Sequence, residues 1–361
     1  MPPAPAAVMA DYHRKLEVYT AARRKYESEA DAYWDLIAQM RRIRNAKRRA
    51  NKDILLDDYV LTQPPVYSGP PRPVDPSAPP ENELPERAYV PVVPDFLQSA
   101  AKHFNFVPRR PQSEIDYKRA YAAVAAAAGL TREQAVRVYG FESGGNGKYD
   151  VQAGLEHPGP GAHAITTALG YNQLLATNTV ELLAEKGDAF LRALRAQAAA
   201  LSGEGRTTLE RKTAVLKAMV DFSRSVPDDW SQHDRLANTP KGLGVHAVNL
   251  DLDLGPLLQV QKLRDSVVFA RAKGYGVPLS AAELEMMNLT GDGNGIDMVM
   301  LPAPWRERVP TANFFQPGGY ERNPVAIRNN VVAKLLAATD ARMDEEAKLQ
   351  GAKDMAALFG R

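Results

Sequence analysis

The chain has 361 residues, 45% of them apolar and 24% charged, with a net charge of +2 and no cysteine. That is enough chain for one large or two modest domains, and the missing cysteine excludes disulfides, thiol catalysis and thiolate metal sites. The near-neutral balance gives no global case for nucleic acid, and no apolar run reaches membrane-spanning length. Met1 to Val8 has neither the basic segment nor the apolar core of a signal peptide.

Residues 10–52 read as one long helix. Tyr12, Tyr19, Tyr26, Tyr33 and Met40 recur every seven residues, and Leu16, Ala30 and Ile37 follow members of that set by four. Such spacing makes a narrow apolar stripe, as on a helix lying along a partner. Arg23 and Arg44 interrupt its second row, which favours docking on the chain's own helical domain over a continuous coiled-coil dimer. An envelope partner is the alternative. The helix closes in a basic block (Arg41, Arg42, Arg44, Lys47, Arg48, Arg49 and Lys52) that reads as a solvated helix end. Contact with an anionic membrane or polymer is the competing reading of that block.

Eleven prolines between Gln63 and Pro94 favour extended polyproline II and forbid a packed core. The segment is a semi-rigid tether, although Val66-Tyr67 and Tyr89-Val90 suggest that parts of it lie on a surface. The expected division is therefore 1–61 as a basic amphipathic helix, 62–95 as linker, and 96–361 as a mainly α-helical domain. Within that domain the pattern predicts helices near 114–128, 132–143, 164–170, 172–185, 188–201, 206–224, 256–273, 280–289 and 324–350.

One stretch organises the helical part: Tyr139-Gly140-Phe141-Glu142-Ser143-Gly144-Gly145-Asn146-Gly147. Thr131 with Gln134 three residues on is a capping-box signature for the helix that enters it. Ala135, Val138, Tyr139 and Glu142 fall at i, i+3, i+4 and i+7, so Glu142 shares the face that is buried. A carboxylate on a buried face must be paired, neutralised or used. Taken alone, Glu142 also fits a helix-terminal side chain that swings to solvent at a glycine cap. Thirty residues on, Gly170-Tyr171-Asn172-Gln173 leads into an apolar helix and would set amide groups beside a cleft. Gly255-Pro256 opens a helix to Gly274, and Met286-Met287-Asn288-Leu289-Thr290-Gly291 closes the next.

These pieces, in this order, resemble the lysozyme-like catalytic domain of lytic transglycosylases, over roughly residues 114–295. Phe141-Glu142-Ser143-Gly144-Gly145 looks like that family's catalytic Glu-Ser pair. Gly170-Tyr171-Asn172-Gln173-Leu174 is similar to its Gly-Leu-Met-Gln-like motif, with Tyr-Asn in place of Leu-Met. Met286 to Gly291 resembles the closing Ala-Tyr-Asn-Ala-Gly, with Met287 at the tyrosine position and one extra residue before the glycine. The interval 176–253 is longer than the family needs, which implies an inserted helical element.

The resemblance implies a peptidoglycan-cleaving enzyme of the bacterial periplasm or cell envelope that needs no cofactor. Glu142 would be the acid and then the base, cutting the MurNAc-GlcNAc β-1,4 bond to leave 1,6-anhydro ends. A lysozyme-type hydrolase and an inactive cell-wall-binding scaffold are the alternatives. Ser143 would bond the Glu or cap the helix, and Asn172, Gln173 and Asn288 would read acetamido groups or serve as caps. Tyr149, Tyr171 and Tyr320 would be sugar platforms or core. Asp150 and Asp188 are the nearest candidates for a second acid, Asp150 reading more naturally as a loop-turn carboxylate.

Two metal signals compete and fail. Thr290 to Asp297 resembles a calcium loop but lacks two ligands of the pattern. His233, Asp234, His246, Asp251 and Asp253 include no helix-spaced ligand pair and read as structural. Gly318-Gly319-Tyr320-Glu321-Arg322-Asn323-Pro324 is polar and aromatic enough to line a cleft.

Overall fold

The computed structural model describes residues 5–77, 88–156, 159 and 161–359. Among these the chain forms sixteen α-helices and no β-strand, only isolated bridges. The protein is mainly α, as its periodicity predicts. No described helix is long and apolar enough to cross a membrane. In chain order the helices are α1 (Ala6–Arg49), α2 (Val93–Phe104), α3 (Glu114–Ala127), α4 (Arg132–Ser143), α5 (Ala176–Ala199) and α6 (Gly203–Ser223). Then come α7 (Trp230–Ala237), α8 (Pro240–His246), α9 (Gly255–Ala272), α10 (Ala281–Thr290) and α11 (Asp292–Val299). The last five are α12 (Ala303–Arg306), α13 (Pro317–Glu321), α14 (Pro324–Arg328), α15 (Val332–Glu346) and α16 (Gln350–Leu358). Two compact units result: Met1–Ala88 with Asp297–Ala338, and Tyr89–Ile296 with Thr339–Arg361.

In the first unit the end of α1 is an anchor rather than a solvated terminus. Arg44 is fully buried, with its guanidinium 4.3 Å over the Tyr59 ring. It donates to Asp297 at 3.2 Å and to the Asp58 carbonyl at 2.9 Å. Arg48 and the Tyr59 hydroxyl share the same Asp297, Lys47 pairs with Asp58, and Arg41 donates to the Phe315 carbonyl. Four members of the basic block are therefore used internally, whereas Arg42, Arg49 and Lys52 stay exposed. The residue that broke the heptad, Arg44, sits on the same stripe as the buried Tyr33 and Ile37. Asn313 clips the extended chain by exchanging two hydrogen bonds with the Val60 backbone.

The proline-rich segment is partly docked within that unit. Tyr67 lies edge-on to Tyr19 and Tyr26 of α1, whereas Val66 is 83% exposed. Tyr89 opens the second unit and is likewise exposed, and 78–87 lie outside the described residues. The expected single helix over 324–350 is instead three: α14, α15 and, starting at its end, α16. α14 stops at Arg328 because Asn329 leaves the helical conformation and Val331 is drawn into a bridge with Pro310.

The second unit is built around tyrosine. Tyr117 and Tyr121 on α3 and Tyr139 on α4 surround Tyr171, each ring edge-on to it with centroids 4.6–5.3 Å away. All four are fully buried. Ser113, Thr131 and Ser280 cap α3, α4 and α10 with reciprocal Asp116, Gln134 and Glu283. The residues from 176 to 253 form the antiparallel pair α5 and α6, then α7 and α8. Two expected helices, 172–185 and 188–201, are one continuous α5, because Gly187 lies where a Cβ would meet Val220 of α6 at 2.5 Å. Lys212 of α6 ties this pair to the turn before α9 through the buried Asp251 and through Asp253.

Candidate active site

Helix α4 ends because two glycines follow it in the left-handed region. Gly144 (φ 63°) is the C-cap. Gly145 (φ 68°) passes so close to α15 that a Cβ would lie 2.6 Å from the Glu346 carbonyl oxygen. The turn is locked by the Tyr139 hydroxyl donating to the Gly147 carbonyl at 2.9 Å and the Gly351 amide donating to Asn146. Glu142, one residue from the helix end, is thus held at a fixed height beside α10, which packs on α4.

Its face is the one the periodicity assigned. Ala135, Val138 and Tyr139 are completely buried, and Glu142 follows on their stripe, half-buried as a whole residue. Asn288 of α10 donates to its Oε1 at 2.7 Å. One turn earlier on α10, the fully buried Glu285 brings its carboxyl beside that of Glu142, on the helix face from which Asn288 reaches it. Arg342 of α15, its guanidinium 4.7 Å over the Phe141 ring, is the cation that acts on both carboxyls. Burial pushes the Glu142 carboxyl up from 4.5 to about 6, against the lowering effects of Glu285, Asn288 and Arg342. Burial pushes Glu285 well above the ordinary range, and the neighbouring Glu142 charge pushes it further. A carboxyl poised near neutrality can give a proton and take one back.

Of the residues expected at this site, only Asn288 touches Glu142. Ser143 does not: its hydroxyl donates back to the Tyr139 carbonyl inside the helix. The Gly170 motif is a tight turn, not a helix start, pinned by the bridge between Leu169 and Leu174, and the helix expected over 164–170 does not form. Gly170 (φ 82°) faces the Gln259 side chain, which a Cβ would meet at 2.7 Å. Tyr171 is core, and its hydroxyl donates to Glu114. Asn172 is 1% exposed and spends its amide hydrogens on Tyr121 and the Gln259 carbonyl, so nothing is left for an acetamido group. Gln173 donates to the Gly170 carbonyl of its own turn and to the Val151 carbonyl of the segment beside it.

The aromatic platforms are corrected in the same way. Tyr149 is buried on Tyr117 and accepts from Arg110 at 2.6 Å. Tyr320 is buried against Trp34 and Phe315 of the first unit. Asp150 pairs with Arg110 rather than with local backbone, and Asp188 pairs with Arg224 at 3.0 Å on the exposed side of the α5–α6 pair. Neither joins Glu142.

Sequence reasoning missed Glu285 and Arg342. Glu285 carried the same signal as Glu142, an acid inside the apolar run Leu284, Met286, Met287, one turn from Asn288. Arg342 carried none, since its place depends on how the chain returns after residue 338.

Most of the other polar candidates have structural partners, although the buried His233 has no hydrogen-bond partner among the described residues on either ring nitrogen. Asp297 serves the α1 anchor, and Asp292 accepts from Ser266 at 2.6 Å. His246 is buried between Thr179 and the Thr167 carbonyl, and burial lowers it to about 4. Asp234 accepts from Thr177. Among the described residues no group of three or more His, Asp or Glu is placed to hold a metal ion. The chain matches no family model, no curated protein and no solved structure.

Proposed function

We propose that the second unit is a lysozyme-like lytic transglycosylase acting on peptidoglycan, with Glu142 as its single general acid and base. The observation that carries this reading is the Glu142 carboxyl itself: fixed at a helix end, raised to about 6, and bonded by Asn288 from the segment that resembles the family's closing motif. As the glycosidic C–O bond breaks, the protonated carboxyl gives its proton to the leaving oxygen, and positive charge builds on the sugar ring. The acetamido group of the substrate assists at C1. The resulting carboxylate then takes the proton of the sugar's 6-hydroxyl as that oxygen closes on C1, which restores Glu142 and leaves a 1,6-anhydro end.

The position of Glu285 favours this route over a two-carboxylate hydrolase. A two-carboxylate enzyme needs its second carboxylate to reach the sugar or the attacking water. Glu285 is 1% exposed and reaches neither.

Digestion of purified sacculi tests the reading. Anhydro-muropeptides are expected from the parent, and Glu142→Gln is expected to lower the rate at least about 100-fold, the lower bound for losing a positioned acid. Reducing ends would mean hydrolysis, and intact sacculi retained on the protein would mean a binding scaffold. Undiminished cleavage by Glu142→Gln would remove Glu142 from the chemistry.

A further inference from the structure

Glu285 sits in a position where an ionised carboxylate has little support. It is 1% exposed, and its buried Oε2 receives no donor from any described residue. The groups that act on it are Asn288 on its own helix, Glu142 from α4 and Arg342 from α15. Arg342 stacks on Phe141 and also pairs with Glu346 at 3.6 Å, so it is not dedicated to Glu285. Glu283, two residues earlier on α10, is occupied by the α10 N-terminus and by Tyr275. Two carboxyls that share a hydrogen bond need a proton between them, because two ionised carboxylates offer only acceptors. Burial decides who holds it: the more enclosed partner is the costlier one to ionise.

We propose that Glu285 is kept as a neutral carboxylic acid whose hydroxyl donates to Glu142, making it the positioning residue for that carboxyl. With Asn288 on Oε1, this gives Glu142 two donors from a single face of α10, three residues apart. The arrangement supports the ionised form of Glu142 at the point in a reaction when its proton has left. It also fixes the carboxyl orientation, since a side chain held by two donors loses its rotational freedom before substrate arrives. The catalytic consequence rests on the function proposed above, whereas the protonation state does not.

Carbon-13 labelling of the glutamate carboxyls in the full chain separates the two. Titration by NMR is expected to show one carboxyl with its midpoint near 6, lost in Glu142→Gln, and a second that stays protonated through neutral pH, lost in Glu285→Gln. Glu285→Leu removes the donor and is expected to raise the Glu142 midpoint by about one unit. Glu285→Gln, which still donates, is expected to return the midpoint to near the parent value and to restore the pH profile of cleavage. A Glu285 carboxyl that ionises before Glu142 overturns the proposal. So does a Glu142 midpoint indifferent to Glu285→Leu, and the parent's own titration decides the question even if that variant does not fold. Expected titrations without cleavage of sacculi would sink the proposed function and leave the pair standing. Cleavage with Glu285 ionised at neutral pH would do the reverse.

Discussion

A carboxyl one residue from a helix end normally escapes to water at no cost, and Glu142 is denied that exit. The glycine turn carries the chain off toward α16 while α10 packs beside the side chain, so the acid is held by Asn288 next to the buried Glu285. This has a thermodynamic signature. Both carboxyls of the pair have folded-state affinities for protons above the unfolded value of 4.5. The folded chain therefore binds more protons than the unfolded one above that pH, and the stability contributed is complete below 4.5 and lost as pH rises. For Glu142 the loss runs through about 6, and for Glu285 it extends higher. Thermal unfolding of Glu285→Gln is expected to gain on the parent as pH rises from 5 to 8, an interval spanning roughly the window over which the pair titrates. A constant difference between the two proteins across that range would contradict a buried proton at Glu285.

At the scale of elements, what was legible in the sequence is what a helix writes locally. The capping boxes at Ser113, Thr131 and Ser280 mark true helix starts, and the spacing from Ala135 to Glu142 gives the buried face of α4 correctly. What was not legible is whatever a distant partner decides. Arg44 looked like a break in a stripe because its counter-charge, Asp297, lies 253 residues away. Asn172 looked like a ligand for amides, and it is one, but the amide is that of Gln259. The Gly170 turn read as an element beside a cleft and the glycines after Glu142 as a helix stop, yet both let backbone pass close to other chain. Gly145→Ala tests this: φ of 68° costs a side-chain-bearing residue about 1–3 kcal/mol, and the clash with the Glu346 carbonyl adds to it. Denaturant titration is expected to show a loss of at least that size, whereas Gly129→Ala, where no atom lies near the added Cβ, should lose less.

For the molecule as a whole, the division into two compact units places different chemistry in each. The first keeps charges inside: Arg44, Tyr59 and Asp297 form one buried group, with the exposed Arg48 at its edge, joining α1 to the returning chain. Removing one member of a buried ion pair leaves the other uncompensated, at a cost of about 3–5 kcal/mol. Asp297→Ala is expected to destabilise that unit by this order, and Trp34 and Trp305, which lie within it, supply the fluorescence readout. Retention of the parent's unfolding midpoint would show that water, not Asp297, compensates Arg44. The second unit keeps its two carboxyls inside instead, with Lys212 and Asp251 as a separate buried pair.

The four tyrosines of the second unit also make it a clock. A ring as tightly enclosed as Tyr171 cannot turn over until its neighbours move apart together, because a close-packed interior has no spare volume. Exposed side chains such as Tyr89 reorient in picoseconds to nanoseconds. Tyr139, whose ring touches Tyr171, stands three residues from Glu142, so ring reversal in the cluster measures how often the floor beneath the acid opens. Separate resonances for the two edges of the Tyr139 and Tyr171 rings, merging on warming, would give that frequency directly.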